Sequence, residues 1–465
     1  MGMDAAVADT AALSGGPPAL QEAFARFHRT HAAQGALPAP VMHQARRCLL
    51  DLVGVAAAGS RTELADIIAA HAADQFAPGG EPAAILFDPR GRTASAAGAA
   101  LAGGMTIDAI DAHDGHPLTK GHAGCGLFPA LLAIAETEAP DMALDAFLAH
   151  LAVGYEIAIR CGIALHATAP DYHTSGAWVA VGIAATGALM TGADVDTVRH
   201  AAGIAEYHGP RSQMMRCIDH PTMLKDGSGW GAMAGVSALM LARAGFTGAP
   251  ALTIEAAAIG DIWSDLGDRW RIMEQYFKPW PVCRWAQPAV EAALGVRSAH
   301  AVTPDRIARI RVRTFHEATR LMTARPADTE QAQYALPFPV AAALVHGRLG
   351  VAQIVGAGLR DAAVHDLAGR VELSESPAFN ALFPAERWAE VDLELADGRV
   401  LASGPMTARG DANTPLSDHE ISAKFHALMD EAGHGHRAAR IEDMIMAGAG
   451  PFTVSDLVAC CSVSS

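Results

Sequence analysis

Residues 108–129 read D-A-I-D-A-H-D-G-H-P-L-T-K-G-H-A-G-C-G-L-F-P, and the rest of the chain is organised around them. The run before them, Ala96 to Met105, is apolar and small, which predicts a buried helix. Three carboxylates (Asp108, Asp111, Asp114), three histidines (His113, His116, His122), Thr119 and Lys120 then fall within fifteen residues. Pro117 and the four glycines of 108–129 bar a long helix across the stretch. The cluster therefore sits on a loop between two buried helices. Charges beside a core need partners or a ligand. Two readings follow: a helix cap with an internally hydrogen-bonded loop, or a site.

Outward from this loop the chain reads as helix after helix with short connections. Val41–Ala58, Leu64–Ala73, Arg92–Gly104, Gly126–Glu136, Met142–His166, Gly176–Met190, Asp196–Ala205 and Trp230–Ala244 all carry helical patterns, and an earlier one spans Leu20–His31. The texture changes near Tyr276. Arg306–Thr314 alternates apolar and basic, and Trp388–Leu395 and Val400–Ser403 alternate around the turn Ala396-Asp397-Gly398, a hairpin signal. Ala332–Val345 and Val351–Val355 read as helices between these strands, and Asp418–Met446 is helical again. The expected architecture is mainly α. Residues 1–18 are a disordered start, 19–278 a large all-helical domain, 279–405 a smaller α/β domain, and 406–465 helices returning to the first domain.

Half of the 465 residues are hydrophobic and 18% are charged, enough apolar material for a large core. The formal charge of −16 argues against nucleic acid, whose phosphates call for a basic surface. A local cationic cavity for a small anion remains compatible with it. The seven cysteines are scattered, with no C-x-x-C, which fits a reducing, cytoplasmic setting. The acidic opening M-G-M-D-A-A lacks the basic region of a secretory signal, and Ala6 stands where myristoylation expects Ser or Thr. The most apolar run, Gly176–Gly192, is shorter than a spanning helix of roughly 20 residues and reads as a core helix, so no membrane is expected.

Four further segments set polar groups against apolar surroundings. His173 lies just ahead of the most apolar helix, where anions are favoured; Thr174 or Ser175 as a simple N-cap is the alternative. Lys225, in M-L-K-D-G-S-G-W, precedes a buried helix, or is a solvated loop lysine. Lys278, Cys283 and Arg284 lie in F-K-P-W-P-V-C-R at the domain junction, a favoured place for ligands if it is not merely a stiff linker. Tyr334 opens a helix of the second domain, and a buried hydroxyl there needs a partner unless it is a core tyrosine. Phosphate-loop, dinucleotide-binding and G-x-S-x-G signatures are absent. The pair His113-x-x-His116 admits a metal reading, but without H-E-x-x-H and with loose spacing no metal is expected.

Taken together, these segments resemble the MmgE/PrpD family, whose members include 2-methylcitrate dehydratase, cis-aconitate decarboxylase and iminodisuccinate epimerase. The resemblance rests on L-L-D-L-V-G-V-A-A-A-G at 49–59, D-A-I-D-A-H-D-G-H-P at 108–117 and G-H-A-G at 121–124. H-T-S-G at 173–176, L-K-D-G-S-G at 224–229, K-P-W-P-V-C at 278–283 and A-Q-Y-A-L-P-F at 332–338 complete it. It implies a large helical domain with an α/β lid and a cofactor-free homodimer. By position, Asp111, His122, His173, Lys225, Lys278 and Tyr334 fall where the family's active-site residues lie. Cys283 stands where the decarboxylase branch has a histidine, although Tyr334 is kept, and the loop histidine is followed by Ala-Gly where many members have Pro-Ser. Lys120 is also atypical.

The chemistry shared by such enzymes makes or breaks a bond next to a carboxylate. It needs a base, an acid and cations over the carboxylates. His122 and His173 are the proton-transfer candidates, because histidine titrates near neutrality. Lys225 and Lys278 are the expected clamps, with Arg284, Cys283, Thr119 and Lys120 as further substrate contacts. Asp111 would orient a histidine and Tyr334 donate a proton or hydrogen bond. The expectation is a hydro-lyase acting on a citrate- or aconitate-like di- or tricarboxylate. An epimerase, a decarboxylase and a non-catalytic helical binding protein are the alternatives.

Overall fold

The computed structural model describes residues 37–447 and 450–462. The expected disordered segment 1–18 and the helix Leu20–His31 lie outside these residues. The helical domain is built on α1 (Ala39–Gly59), α2 (Ala96–Asp108), α3 (Gly124–Glu138), α4 (Leu144–Thr168), α5 (Gly176–Met190) and α6 (Ser228–Arg243). Helix α5 has no polar face; every residue from Gly176 to Leu189 is buried. It lies between α4 and α6, and α6 also packs on α2. Small residues permit that closeness. A Cβ at Gly104 of α2 would stand 2.6 Å from the Gly229 Cα of α6.

Helix α4 is the one helix among the described residues long and apolar enough to cross a membrane, by length and composition. Of its apolar window, 94% is buried inside the protein, as expected of a core helix. Its buried Glu156 and Arg160 pair at 2.8 Å. All seven cysteines are free and buried.

The smaller domain holds α7 (Gln287–His300), β1 (Ile307–Thr314), α8 (Pro337–His346), β2 (Val371–Glu375), β3 (Trp388–Leu395) and β4 (Val400–Ala402). The sheet order is β2-β1-β3-β4. Strand β1 runs antiparallel to β3, with Ile310 opposite Leu393 and Val312 opposite Val391. It runs parallel to β2, with Ile310 opposite Val371. Ala389, Val391, Leu393 and Leu395 alternate inward on β3 and meet α7, on which α8 packs. The β3–β4 hairpin turns at Gly398, whose φ of +87° suits glycine.

The last long helices, α9 (Asp418–Glu431) and α10 (Gly435–Met446), lie on α1. Lys424 of α9 donates to the Asp51 carboxylate and to the Ala112 carbonyl, both at 2.6 Å. The C-terminal part thereby holds the loop that follows α2.

Three local expectations differ from what is seen. Thr93–Ala94 pairs with Ala83–Ala84 as a short ladder, and α2 begins only after Ser95, whose hydroxyl caps the Gly98 N–H. The expected helix Ala332–Val345 is two pieces, Thr329–Gln333 and α8, because Pro337 restrains the residue before it. Strand β2 was not expected; it is a half-exposed edge strand without a strong apolar alternation.

Candidate active site

The loop 109–123 sits at the seam of the two domains. Gly115 exchanges backbone hydrogen bonds with Tyr276, 3.0 and 2.8 Å long, which ties the loop to the junction segment. A Cβ at Gly115 would stand 2.5 Å from the Tyr276 hydroxyl and 2.7 Å from His122 Nδ1, so a glycine is required there. The tie brings Lys278, completely buried, onto the Asp111 carboxylate as an ion pair. Burial alone would raise the Asp111 pKa. Lys278, with His122, His113 and Lys225, outweighs it and holds the carboxyl well below the usual range.

His122 is fixed from two sides. Its backbone N–H donates to Ser175 Oγ at 2.8 Å, and Nδ1 lies 2.6 Å from the Asp114 carbonyl. A carbonyl only accepts, so Nδ1 carries the proton and neutral His122 presents a bare Nε2. That nitrogen is 4.0 Å from Asp111 Oδ1. Burial, then the charges of Lys278 and His113, drives the His122 pKa well below its ordinary value, so the ring is neutral at pH 7.

Lys225 adopts φ +50°, as does Lys120, a conformation uncommon outside glycine. Its Nζ donates to Gln333 Oε1 at 2.6 Å and lies 4.9 Å from the Tyr334 ring centroid. Gln333 Oε1 also accepts the Asp111 N–H at 2.8 Å, while its Nε2 donates to the Ala109 carbonyl at 2.9 Å. One amide of the smaller domain thus joins Lys225 to the loop. Beneath the loop, the Asp114 carboxyl accepts from Tyr155 at 2.7 Å and Gln275 at 3.1 Å. Burial lifts it to about 7, against the Tyr155 hydrogen bond and helped by nearby Asp51.

Asp111, Lys120, His122, Cys283, Arg284 and Tyr334 line one cavity with Tyr172, Tyr276 and Arg387. It measures about 20 Å³, room for a water molecule or two, so a citrate-sized molecule does not fit in it as it stands. A larger cleft of about 600 Å³ runs between Arg61–Glu63 and Ala327–Glu330 but touches none of the candidate residues. The chemistry therefore belongs to the smaller cavity. Burial, with Asp111 close by, pushes the Cys283 thiol up to about 12. Burial likewise raises the hydroxyls of Tyr334 and Tyr172 well above their usual range. The cavity wall thus combines protonated donors with one neutral base.

Four expected residues are not on this wall: Lys278 is paired with Asp111, Lys225 lines a neighbouring cavity with Thr174 and Cys217, and His173 and Thr119 turn elsewhere. His173 belongs to an extended stretch bridged to Gln213, in which alternate side chains face opposite ways. Tyr172 faces the cavity, whereas His173 bonds the Asp171 carbonyl at 2.8 Å and stacks on His166. Thr119 is turned into the loop, its hydroxyl donating to the His116 carbonyl. The histidines of the H-x-x-H pair separate, His116 going to Glu274 at 3.2 Å. His113 instead joins Asp111 and His122 in a triad whose ligand-type atoms lie within 4.8 Å of one another, and Asp108 and Cys125 in a second. Lys278 already supplies a cation to Asp111 in the first triad. Gln333, Tyr276, Tyr172 and Arg387 escaped the sequence reading as site residues. Gln333 sits inside a quoted motif; for Arg387 no local pattern signals burial.

The pattern of the MmgE/PrpD N-terminal domain matches residues 22–268, and that of the C-terminal domain residues 280–447. The chain belongs to the MmgE/PrpD family. The C-terminal MmgE/PrpD match includes α9 and α10, the helices that pack back on α1. Among similar proteins, the cis-aconitate decarboxylase-like protein oryM of Aspergillus oryzae is 24% identical, over 91% of this chain and 93% of its own length. Human cis-aconitate decarboxylase is 25% identical over 84% of each chain.

Proposed function

We propose that this MmgE/PrpD protein is a cofactor-independent lyase, in the first place a hydro-lyase, acting on a citrate- or aconitate-like di- or tricarboxylate. The observation that carries the reading is His122: neutral, with Nε2 bare and set among cations. In the proposed step His122 Nε2 takes a proton from the carbon next to a carboxylate. The electron pair left on carbon forms the double bond, and the β-hydroxyl leaves as water after accepting a proton. Tyr334, whose hydroxyl burial keeps protonated, supplies that proton. Lys225 stabilises the enediolate-like charge, which is worth most in a closed site. Asp111, held by Lys278, stays ionised and stabilises the imidazolium that forms when His122 takes the proton.

A decarboxylase is the second reading, supported by the names of the two relatives. Loss of CO₂ leaves a carbanion to be protonated, which calls for an acid. A neutral histidine fits proton abstraction better, and position 283 holds a cysteine where the decarboxylase branch of the family has a histidine. An epimerase would use the same base with a donor on the opposite face. A panel of di- and tricarboxylates followed by NMR in deuterated water tests all of these. Loss of water supports the hydro-lyase, loss of CO₂ the decarboxylase, and exchange with inversion the epimerase. No reaction with any member of the panel overturns the lyase reading in favour of a binding protein.

We also propose a cytoplasmic homodimer formed through the helical domain. The family resemblance supports it, as do the large apolar side chains that this domain leaves open, Tyr207 at 79% exposure, Phe246 at 50% and Trp230 at 42%. Sedimentation at micromolar concentration giving 48.2 kDa would overturn it.

A further inference from the structure

Arg387, the residue before β3, is 3% exposed. Five arginines are buried among the described residues, and four have a carboxylate. Arg46 pairs with Asp145 at 2.5 Å, Arg160 with Glu156 at 2.8 Å, Arg271 with Glu274 at 3.4 Å and Arg284 with Asp411 at 2.6 Å. Arg387 has none among the described residues within ion-pair distance. Its Nη2 donates to the Pro117 carbonyl at 3.3 Å, its Nε is buried without a partner, and its guanidinium lies 5.7 Å from the Phe383 ring. An unmatched buried cation is expensive unless something compensates for it.

Lys120 lines the same cavity. Its Nζ lies 4.2 Å from the Tyr172 ring centroid, and no carboxylate of the described residues is within ion-pair distance. Burial, then repulsion from Arg387, lowers its pKa. Two cations of one sign therefore face one cavity, from the smaller domain and from the loop, and no carboxylate of the described residues pairs with either; Glu317 attracts Lys120 only from beyond ion-pair distance. They are also set apart from the reacting end. The charges that act on Asp111 are Lys278, His122, His113 and Lys225, whereas Arg387 faces Tyr276, Arg284, Asp411 and Tyr172. Asp411 is already taken by Arg284.

We infer that Arg387 and Lys120 form an anion subsite at the lid end of the cavity, which takes a second carboxylate of the substrate, away from the carbon that His122 attacks. This rests on the reading of the site as a polycarboxylate lyase and adds its selectivity: di- and tricarboxylates are accepted and monocarboxylates refused. The planar guanidinium suits a carboxylate held by two hydrogen bonds, and the lysine adds a point charge. The bond from Arg387 to the Pro117 carbonyl joins lid to loop, so a carboxylate bound there also stabilises the closed lid.

The test is calorimetric binding of tricarballylate, a tricarboxylate with no hydroxyl to lose, and of butyrate, to the full-length protein. Arg387→Met should weaken tricarballylate by about 10- to 100-fold and leave butyrate nearly unchanged. Arg387→Lys should recover part of the loss, and Lys120→Met should cost roughly 3- to 10-fold. Melting temperatures and circular dichroism check each variant. Lys120 is only half-buried, so Lys120→Met carries the test if Arg387→Met does not fold. Equal tricarballylate affinity in wild type and both variants overturns the subsite, as does an equal loss for butyrate or a wild type that binds no tricarballylate. Binding that depends on Arg387 without turnover of any polycarboxylate keeps the subsite and removes the lyase reading. Turnover whose selectivity the variants leave unchanged does the reverse.

Discussion

Asp111 and Arg387 line the same cavity, yet their charges are handled in opposite ways. Asp111 is met by Lys278, bordered by His122 and His113, and joined through Gln333 to Lys225. Arg387 has a single carbonyl, and Lys120 an aromatic face. Internal compensation fixes the first set of groups before anything binds, which is what a reacting centre requires. The second set gains its counter-charge only with a ligand, which is what selection requires. The loop 109–123 carries members of both sets, so one short stretch serves two physical tasks.

The largest effect expected is at the compensated end. His122→Ala should lower kcat by about 10²–10⁴ with KM nearly unchanged, because a base acts only in the transition state. Steady-state kinetics check it. The wild-type acid limb should lie below pH 6.5, since the pKa of His122 is depressed and the base is lost only when the ring gains a proton. A raised KM with kcat intact would make His122 a binding group and remove the base from the proposed step. Lys278→Met should next cost about 3–5 kcal/mol of stability, because it leaves Asp111 buried without its cation. Urea unfolding measures it, and adding Asp111→Asn should restore most of the loss. Without that rescue, Lys278 is not the compensating charge.

Lys225→Met should be milder, about 10- to 100-fold in kcat/KM with KM raised, from the loss of a charge-assisted hydrogen bond worth about 1.5–3 kcal/mol. Both limbs of the pH profile should survive. A fall in kcat alone would place Lys225 among the proton-transfer groups.

How far the sequence revealed this arrangement depends on the kind of information each residue carries. Helix α5 was legible over Gly176–Met190 because an uninterrupted apolar run has one reading. The loop stood out because six ionisable groups, Pro117 and two glycines cannot continue a helix. The hairpin at Gly398 followed from D-G between alternating runs. Strand β2 escaped because V-E-L-S-E is too short and too exposed to betray a parallel partner about sixty residues earlier. The misplaced direction of His173 has a related cause. Its type announced proton chemistry, but a residue on an extended segment faces one side or the other, and tertiary pairing decides which. Arg387 is the extreme case: an arginine before a strand is ordinarily solvated, and only the packing of the smaller domain against the loop reveals it as buried.

The smallest effect tests the ground beneath the compensated end, where Asp114 is neutralised by a proton instead of a cation. Its folded pKa of about 7 lies above the ordinary carboxylate range near 4, and burial is the main cause. Below about pH 4 both the folded and the unfolded chain carry the proton, and the contribution is fully present. As pH rises toward 7 the unfolded chain releases it first, so the fold binds more protons and stability falls with rising pH; above 7 the slope ends. Asp114→Asn removes the titration while sparing the backbone carbonyl that holds His122 Nδ1. Urea unfolding at pH 5.5 and pH 7 should therefore show the wild type losing about 1–2 kcal/mol more than the variant over that interval. The kcat of the variant should stay within a few-fold, since the contact to His122 comes from the main chain. Equal slopes in the two proteins would mean that Asp114 is ionised throughout. Asp51, Lys424 and the loop would then form one ionic network, and the compensation seen at Asp111 would extend one layer deeper into the core.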